Sequence, residues 1–325
     1  MSEFLTVKEL KAQQSTGKPF VSLLVLKKTT AKTASNGNPY LSAELADKTG
    51  SFTCTVFSDS AVFELFKNAG ESLIVKVEGK LDVYQGRLAP KLSKATQLTE
   101  AEVQASGAME NLVEASSEDF EGMKGELKNF ISSIAHVELK KTVETVFQEL
   151  GDNFLTAPAA VSVHHAYRHG LLEHTIRMAR AAKVLLPLYP EVHPDLVMAG
   201  ILLHDTGKVI EYVGTLSTKR SRRGILQGHV VLGYDLARRA GLKVGLDADL
   251  QERLEHIILS HQGKLEWGAA VIAASPEAVL VSMIDNLDAR MGMVQQALRQ
   301  ANEDQEFSER IMGLESPVLT KPVKR

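Results

Sequence analysis

Cysteine is nearly absent. Cys54 is the only one in 325 residues, so no intrachain disulfide can form, which fits a reducing compartment. No stretch approaches the ~18 consecutive apolar residues of a membrane span. The opening MSEFLTVKEL has no basic stretch followed by an apolar one, so no secretory leader is expected. A cytoplasmic protein with neither membrane nor disulfide partner is the expectation. Internal repeats and low-complexity tracts are missing too. Nor is there a surplus of charge of one sign: 37 Lys and Arg stand against 40 Asp and Glu, a net −3. By itself that balance gives no reason to expect a polyanionic partner. What is present is an ordinary globular composition, 44% hydrophobic and 24% charged, with chain enough for two domains.

The balance hides an uneven distribution. Residues 1–100 carry 13 basic and 10 acidic side chains, the remainder 24 and 30, and no basic residue stands between Lys94 and Lys124. That acidic stretch marks a boundary. It gives a first domain at 1–100, a linker with a short helical segment at 101–123, a second domain at 124–315 and a disordered tail at 316–325. Before the boundary the pattern is β. PFVSLLVLKK is a branched apolar run; YLSAELAD alternates with Leu41, Ala43 and Leu45 on one face; SFTCTVFS alternates with Phe52, Cys54 and Val56. SNGNP and DKTG read as turns. SAVFELFKNAG has the spacing of a short helix, and residues 72–92 supply two more strands. This order of three strands, a helix and two strands resembles an OB-fold, a small Greek-key β-barrel. The resemblance implies binding of single-stranded nucleic acid, which needs cations for phosphates and aromatic faces for bases. Lys27, Lys28, Lys32, Tyr40, Phe57, Tyr84 and Arg87 are the candidates.

After the boundary the pattern is helical. Leu127, Phe130, Ile131 and Ile134, then Leu139, Val143, Val146, Phe147 and Leu150, recur at helical spacing, and further helical stretches follow. The fold class is therefore multidomain α+β, a small β-barrel followed by an all-α helical bundle.

All ten histidines lie beyond residue 135. Read downstream, His174, the pair His204–Asp205, His229, His261 and Asp285 form a set of imidazoles and carboxylates suited to a divalent cation such as Mn, Fe, Co, Ni or Zn. His204–Asp205 ends the apolar run 197–203, where a carboxylate is costly unless a cation or donors compensate it. Adjacent helical side chains diverge by about 100°, so Asp205 can approach a metal from a second side or bridge two metals. Asp285 likewise follows VLVSMI, and Asp288, one turn on, is placed to support a ligand. His256 lies about 140° around a helix from His261 and is left out of the set.

The ordered set His174, His204–Asp205, Asp285, with the longer HDTGK, resembles the HD-domain metal-dependent phosphohydrolases. FLTAPAAVSVHHAYRHGLLEHT, AGILLHDTGKVIEY, LSHQGKLEWG and MIDNLDARM, behind an OB-like domain, are similar to the YhaM-type 3′–5′ exoribonucleases over about residues 4–315. That resemblance implies hydrolysis of phosphodiester bonds at the 3′ end of single-stranded RNA, with single-stranded DNA left open, releasing nucleoside monophosphates and usually using Mn²⁺. It implies that His174, His204, Asp205 and Asp285 hold one metal and that Asp205 bridges to a second held with His229 and His261. Asp205 and Lys208 are the implied catalytic residues, Lys208 neutralising phosphate charge. Two departures stand out. Gln262 occupies a position where relatives often have a second histidine, and Arg168 and His169 stand where they have small residues; Arg168 is a candidate phosphate contact.

TKRSRRG packs Lys219, Arg220, Arg222 and Arg223 between His204–Asp205 and His229, so a cationic loop is tied at both ends to the candidate centre. Two other readings remain open: an HD phosphohydrolase of small nucleotides, for which a strand-binding domain is superfluous, and a non-catalytic single-strand-binding protein. A homo-oligomer is compatible with the sequence, which does not decide it.

Overall fold

A computed structural model describes residues 4–13, 16–34, 37–69, 72–84, 87–106, 108–113, 115–160, 167–214, 216, 218–301, 305–321 and 323. The chain divides into two units, Met1–Glu114 with Thr215–Ser217, and Ala115–Gly214 with Thr218–Arg325.

In the first unit, helix α1 (Val7–Ala12) precedes strands β1 (Pro19–Thr33), β2 (Pro39–Asp47) and β3 (Gly50–Phe57), helix α2 (Phe63–Lys67), β4 (Leu73–Lys80), a small hairpin of β5 (Val83–Tyr84) and β6 (Arg87–Leu88), and β7 (Lys91–Leu98). The main sheet is antiparallel, ordered β3-β2-β1-β4-β7. The expected barrel is corrected here: the sheet is open. Long β1 spends its first half on β4 and its second on β2, with a register shift between Leu26 and Lys28, so the sheet curls without a ladder joining its edge strands β3 and β7. Leu41, Ala43, Leu45, Phe52, Cys54 and Val56 are buried on the concave side with Val7, Leu10 and Phe66. Burial pushes the Cys54 thiol up to about 12, which leaves it protonated and inert.

The stretch read as a linker begins with helices α3 (Glu100–Ala105) and α4 (Met109–Leu112). Val103, Met109 and Leu112 cover the other face of the sheet at Leu23, Val25 and Ile74. This is why residues 23–26 of β1 are buried in an unbroken run instead of alternating. Sequence reading also missed α1, whose Thr6–Glu9 capping box satisfies two N–H groups at its start.

The second unit is helical: α5 (Phe120–Ser133), α6 (Val137–Leu150), α7 (Asp152–Thr156), α8 (Gly170–Leu185), α9 (Pro194–Leu203), α10 (Lys208–Glu211), α11 (Arg222–Val244), α12 (Ala248–Ser260) and α13 (Pro276–Gln300), with a two-residue pair of β8 (Tyr212–Val213) and β9 (Lys219–Arg220). The apolar run 127–150 is split between α5 and α6, because Asp195 Oδ2 accepts the N–H groups of Ala135 (3.0 Å) and His136 (2.8 Å). Helix α9 is the core of the bundle; every residue from Leu196 to Leu203 is buried. An all-round apolar helix of this kind needs neighbours on every side, and α6, α8, α12 and α13 supply them. The segment expected to be a disordered tail from 316 instead returns on residues 307–311. Bridges join Phe307 to Leu319 and Ile311 to Ser316, and Ser308 N–H donates to Val318 O at 2.8 Å. Among the described residues no helix is long and apolar enough to cross a membrane.

Candidate metal centre

Each candidate ligand sits where a helix ends, breaks or faces α9. His174 is one turn into α8. His204 is the C-cap of α9, and Asp205 starts the turn into α10. His229 follows a break in α11 at Gly228, which has φ +71°. His261 is the C-cap of α12, and Asp285 lies in the first half of α13. His174, His204, Asp205 and His261 are buried.

The six side chains form two groups. His174, His204 and Asp285 are one, and Asp205, His229 and His261 the other; in each, one ligand atom per residue lies within 4.8 Å of the rest. Asp205 belongs to both by geometry. Its Oδ2 is 3.2 Å from His204 Nε2 and 3.6 Å from His174 Nε2, while its Oδ1 is 3.5 Å from both His229 Nε2 and His261 Nε2. His174 Nε2 is 3.2 Å from Asp285 Oδ1.

All four imidazoles turn Nε2 inward because Nδ1 is engaged outward. His204 Nδ1 donates to Ile201 O (2.7 Å) and His261 Nδ1 to Ile258 O (2.6 Å), since a carbonyl can only accept. His174 Nδ1 is 2.7 Å from Asp288 Oδ2, and His229 Nδ1 is 2.7 Å from Glu211 Oε2. His204 and His261 therefore aim Nε2 at the Asp205 carboxylate. His174 and His204 bring their Nε2 atoms within 3.2 Å of each other. Asp205 Oδ1 is buried and has no hydrogen-bond partner among the described residues. A buried carboxylate oxygen without a hydrogen-bond donor is costly in a low-dielectric interior unless positive charge compensates it. Nitrogen and carboxylate donors in this number fit divalent transition ions.

The electrostatics agree. At His174 burial opposes the charged form, but Asp285 and Asp288 outweigh it and push the imidazole up to about 10. Burial likewise opposes ionisation of Asp285, yet His174 and its neighbours hold that carboxyl down at about 2. Burial also works against the Asp205 carboxylate, and Lys208 and His204 hold it ionised well below the ordinary range. Lys208 Nζ is 2.7 Å from Asp205 Oδ2, and that ion pair shifts the ammonium up against its own desolvation.

Asp288 and Glu211 hold histidines without facing the centre themselves. Glu211 was missed from sequence; 18 residues separate it from His229, and only the packing of α10 on α11 joins them. Asp288→Ala should weaken metal affinity by about 10–100-fold, the usual cost of losing a carboxylate behind a ligating histidine. Competition against a chelating dye measures it, and unchanged affinity would show that other contacts orient His174. Gln262 Nε2 lies 3.0 Å from His229 Nε2 and 3.3 Å from His261 Nε2, at the edge of the second group. His256 is turned elsewhere, accepting the Ala274 N–H at 2.8 Å.

The remaining candidates spread more widely. Lys219, Arg220, Arg222 and Arg223 are exposed, and Arg220 Nε is 3.3 Å from Glu211 Oε1. Arg168 is half-buried and donates from Nε to His169 Nε2 at 3.2 Å. Residues 161–166 of the long motif before His174 lie outside the described residues. In the first unit, cross-strand register sets Lys32, Tyr40 and Phe57 in one row over β1, β2 and β3; the two rings are 6.1 Å apart and Phe57 is exposed. Lys28 is exposed, opposite Glu44. Lys27 is half-buried, and its Nζ donates to Leu216 O at 3.1 Å. The side chains of Tyr84 and Arg87 lie outside the described residues.

Comparison with known proteins gives the same two parts. The HD domain matches residues 171–290, and the OB-fold nucleic acid binding domain matches residues 24–108. The 3′-5′ exoribonuclease YhaM of Listeria monocytogenes serotype 4b (strain CLIP80459) is 34% identical over 305 residues, covering 93% of this chain and 95% of the relative. Its counterpart in Listeria innocua serovar 6a is 33% identical over 303 residues, with the same coverage of each chain.

Proposed function

Because the chain belongs to the YhaM 3′–5′ exoribonuclease family, we propose that it is a metal-dependent exoribonuclease of the cytoplasm. It removes nucleoside monophosphates from the 3′ end of single-stranded RNA, and single-stranded DNA is the alternative strand. The observation that carries the reading is Asp205, whose two oxygens each face a pair of imidazole Nε2 atoms.

In this reading His174, His204 and Asp285 hold one divalent cation, His229 and His261 a second, and Asp205 both; Mn²⁺ suits the donor set, as do Fe, Co, Ni and Zn. Such a pair supplies Lewis-acid charge to the phosphate and activates water at neutral pH. The protein does the rest. Asp288 and Glu211 fix the rings of His174 and His229. Lys208 keeps Asp205 ionised and adds a fixed positive charge where the phosphate arrives. Gln262 can donate an N–H to a phosphate or leaving oxygen. An amide does not deliver a proton as an imidazolium does, so the leaving 3′-oxygen is not protonated from this position.

The strand is held elsewhere. The row of Lys32, Tyr40 and Phe57 offers stacking faces beside a cation, and the loop bearing Lys219, Arg220, Arg222 and Arg223 adds a cationic surface. Neutralising all four loop residues should weaken RNA binding and flatten its salt dependence, by roughly 0.7 in log–log slope for each phosphate no longer neutralised. Titrations at several salt concentrations test this, and an unchanged slope would remove the loop from the binding surface.

The function is tested with 5′-end-labelled single-stranded RNA and Mn²⁺. The expected product is a ladder that shortens from the 3′ end, stopped by EDTA. Hydrolysis of small nucleotides with RNA left intact would instead identify a small-nucleotide phosphohydrolase. Tight, metal-independent RNA binding without turnover would identify a binding protein.

A further inference from the structure

Beside the metal centre, within the helical unit, lies a cavity of about 420 Å³. Lys208, Gln262 and Asp285 form its inner edge, so it opens directly onto the candidate ligands. Its outer part is built from residues with no place in the centre. Trp267 and Lys264 come from the turn after α12, Arg290 from α13, and the turn at Met312–Glu315 adds further lining. Trp267 is 45% exposed, and Lys264 Nζ lies 4.6 Å from its ring centroid, so a stacking surface and a positive charge come as one unit. Arg290 Nε donates to Asn286 Oδ1 at 3.0 Å, and Asn286 directly follows Asp285, so the bond holds a second cation at the cavity wall. That turn is itself tied down by the Ile311–Ser316 bridge.

From this arrangement we propose that the cavity seats the 3′-terminal nucleoside of the strand: Trp267 stacks on its base, and Lys264 and Arg290 hold the adjoining phosphate oxygens. The proposal rests on the exoribonuclease reading above and adds the part of the substrate that lies beyond the cleaved bond. Size supports it. The volume falls near the lower end of the ~300–1,000 Å³ of small-ligand sites, room for one nucleoside and not for a stacked pair. Chemistry supports it as well, because every nucleobase presents a π-face, so an indole recognises the terminal residue without demanding a particular base.

Trp267 is the sole tryptophan of the chain, so its emission reports on this cavity alone. The metal-loaded protein, with diamagnetic Zn²⁺ as the ion, is titrated with adenosine 5′-monophosphate and, separately, with ribose 5-phosphate. The first should quench the emission saturably and the second, lacking a base, should not. In steady-state assays Trp267→Leu should raise KM for a single-stranded oligoribonucleotide by about tenfold, within the range of one base–aromatic stack removed, and keep kcat within about twofold. Trp267→Phe should stay within about threefold of the wild type in both. Equal quenching by the two ligands, or a wild-type KM in Trp267→Leu while the wild type digests RNA, would overturn the proposal. Nucleotide quenching does not depend on turnover. Base-dependent quenching in a protein that digests no RNA would therefore overturn the exoribonuclease reading and leave the base pocket supported.

Discussion

Replacing Asp205 with Asn should lower kcat on single-stranded RNA by about 10³-fold, the scale on which one pre-organised electrostatic contact acts, with KM changed by no more than a few-fold. Asparagine keeps the volume of aspartate but offers one oxygen instead of two. Both sides lose the anionic charge, and whichever way the amide turns, either the His174–His204 side or the His229–His261 side meets an N–H group. Lys208 also loses its partner at 2.7 Å and becomes a buried, uncompensated cation. Breaking a buried ion pair on one side costs ~3–5 kcal/mol, so the variant should melt earlier as well as turn over slowly. KM should hold because the surfaces proposed to bind the strand do not include Asp205. Turnover and RNA affinity are measured side by side. A variant within tenfold of wild-type kcat would show that bridging by Asp205 is not needed for hydrolysis.

The second large effect comes from a residue without a side chain. A Cβ on Gly207 would stand 2.0 Å from His229 O and 2.5 Å from Gly233 N. These are backbone atoms and cannot turn aside as a flexible side chain can. The backbone torsions of Gly207 are ordinary, φ −62° and ψ −20°, so the demand is for space. The close approach of α10 to α11 is what brings His229 beside Asp205. Gly207→Ala should therefore cost at least the upper end of the ~1–3 kcal/mol typical of overpacking. For a domain of this size that is a fall in Tm of about 6–12 °C. It should also lower activity by about 10²-fold through displacement of His229. Thermal unfolding and RNA turnover check it together. Unchanged melting and activity would mean that the two helices slide apart at little cost.

Much of this was legible in the residues, for identifiable reasons. The alternation in 40–47 and 51–58 placed Leu41, Ala43, Leu45, Phe52, Cys54 and Val56 inward, because a half-buried antiparallel strand can satisfy its core in only one register. His174, His204, Asp205, His229, His261 and Asp285 stood out because polar groups in apolar helices need compensation, and the fold gathers all six. What stayed hidden depends on contacts between distant segments. Nothing local distinguishes Glu211 from a surface glutamate until α11 lays His229 against it. The open sheet follows from how β1 divides its pairing, and strand order in sequence is the same for a closed and an open barrel. Val103, Met109 and Leu112 looked like the sparse apolar residues of a linker because the face of β1 and β4 that they cover is invisible without the fold. The capping box before α1 was local and could have been read: Thr6 followed by Glu9 ahead of Leu10 is its signature.

The central claim is that Asp205 joins two metal positions into one centre. Counting manganese per chain by elemental analysis, after equilibrium dialysis against Mn²⁺, tests it most directly. Two ions are predicted for the wild type and at most one for Asp205→Asn at the same free concentration, with the second lost in His229→Ala as well. One ion per wild-type chain, or two retained in Asp205→Asn, would contradict it.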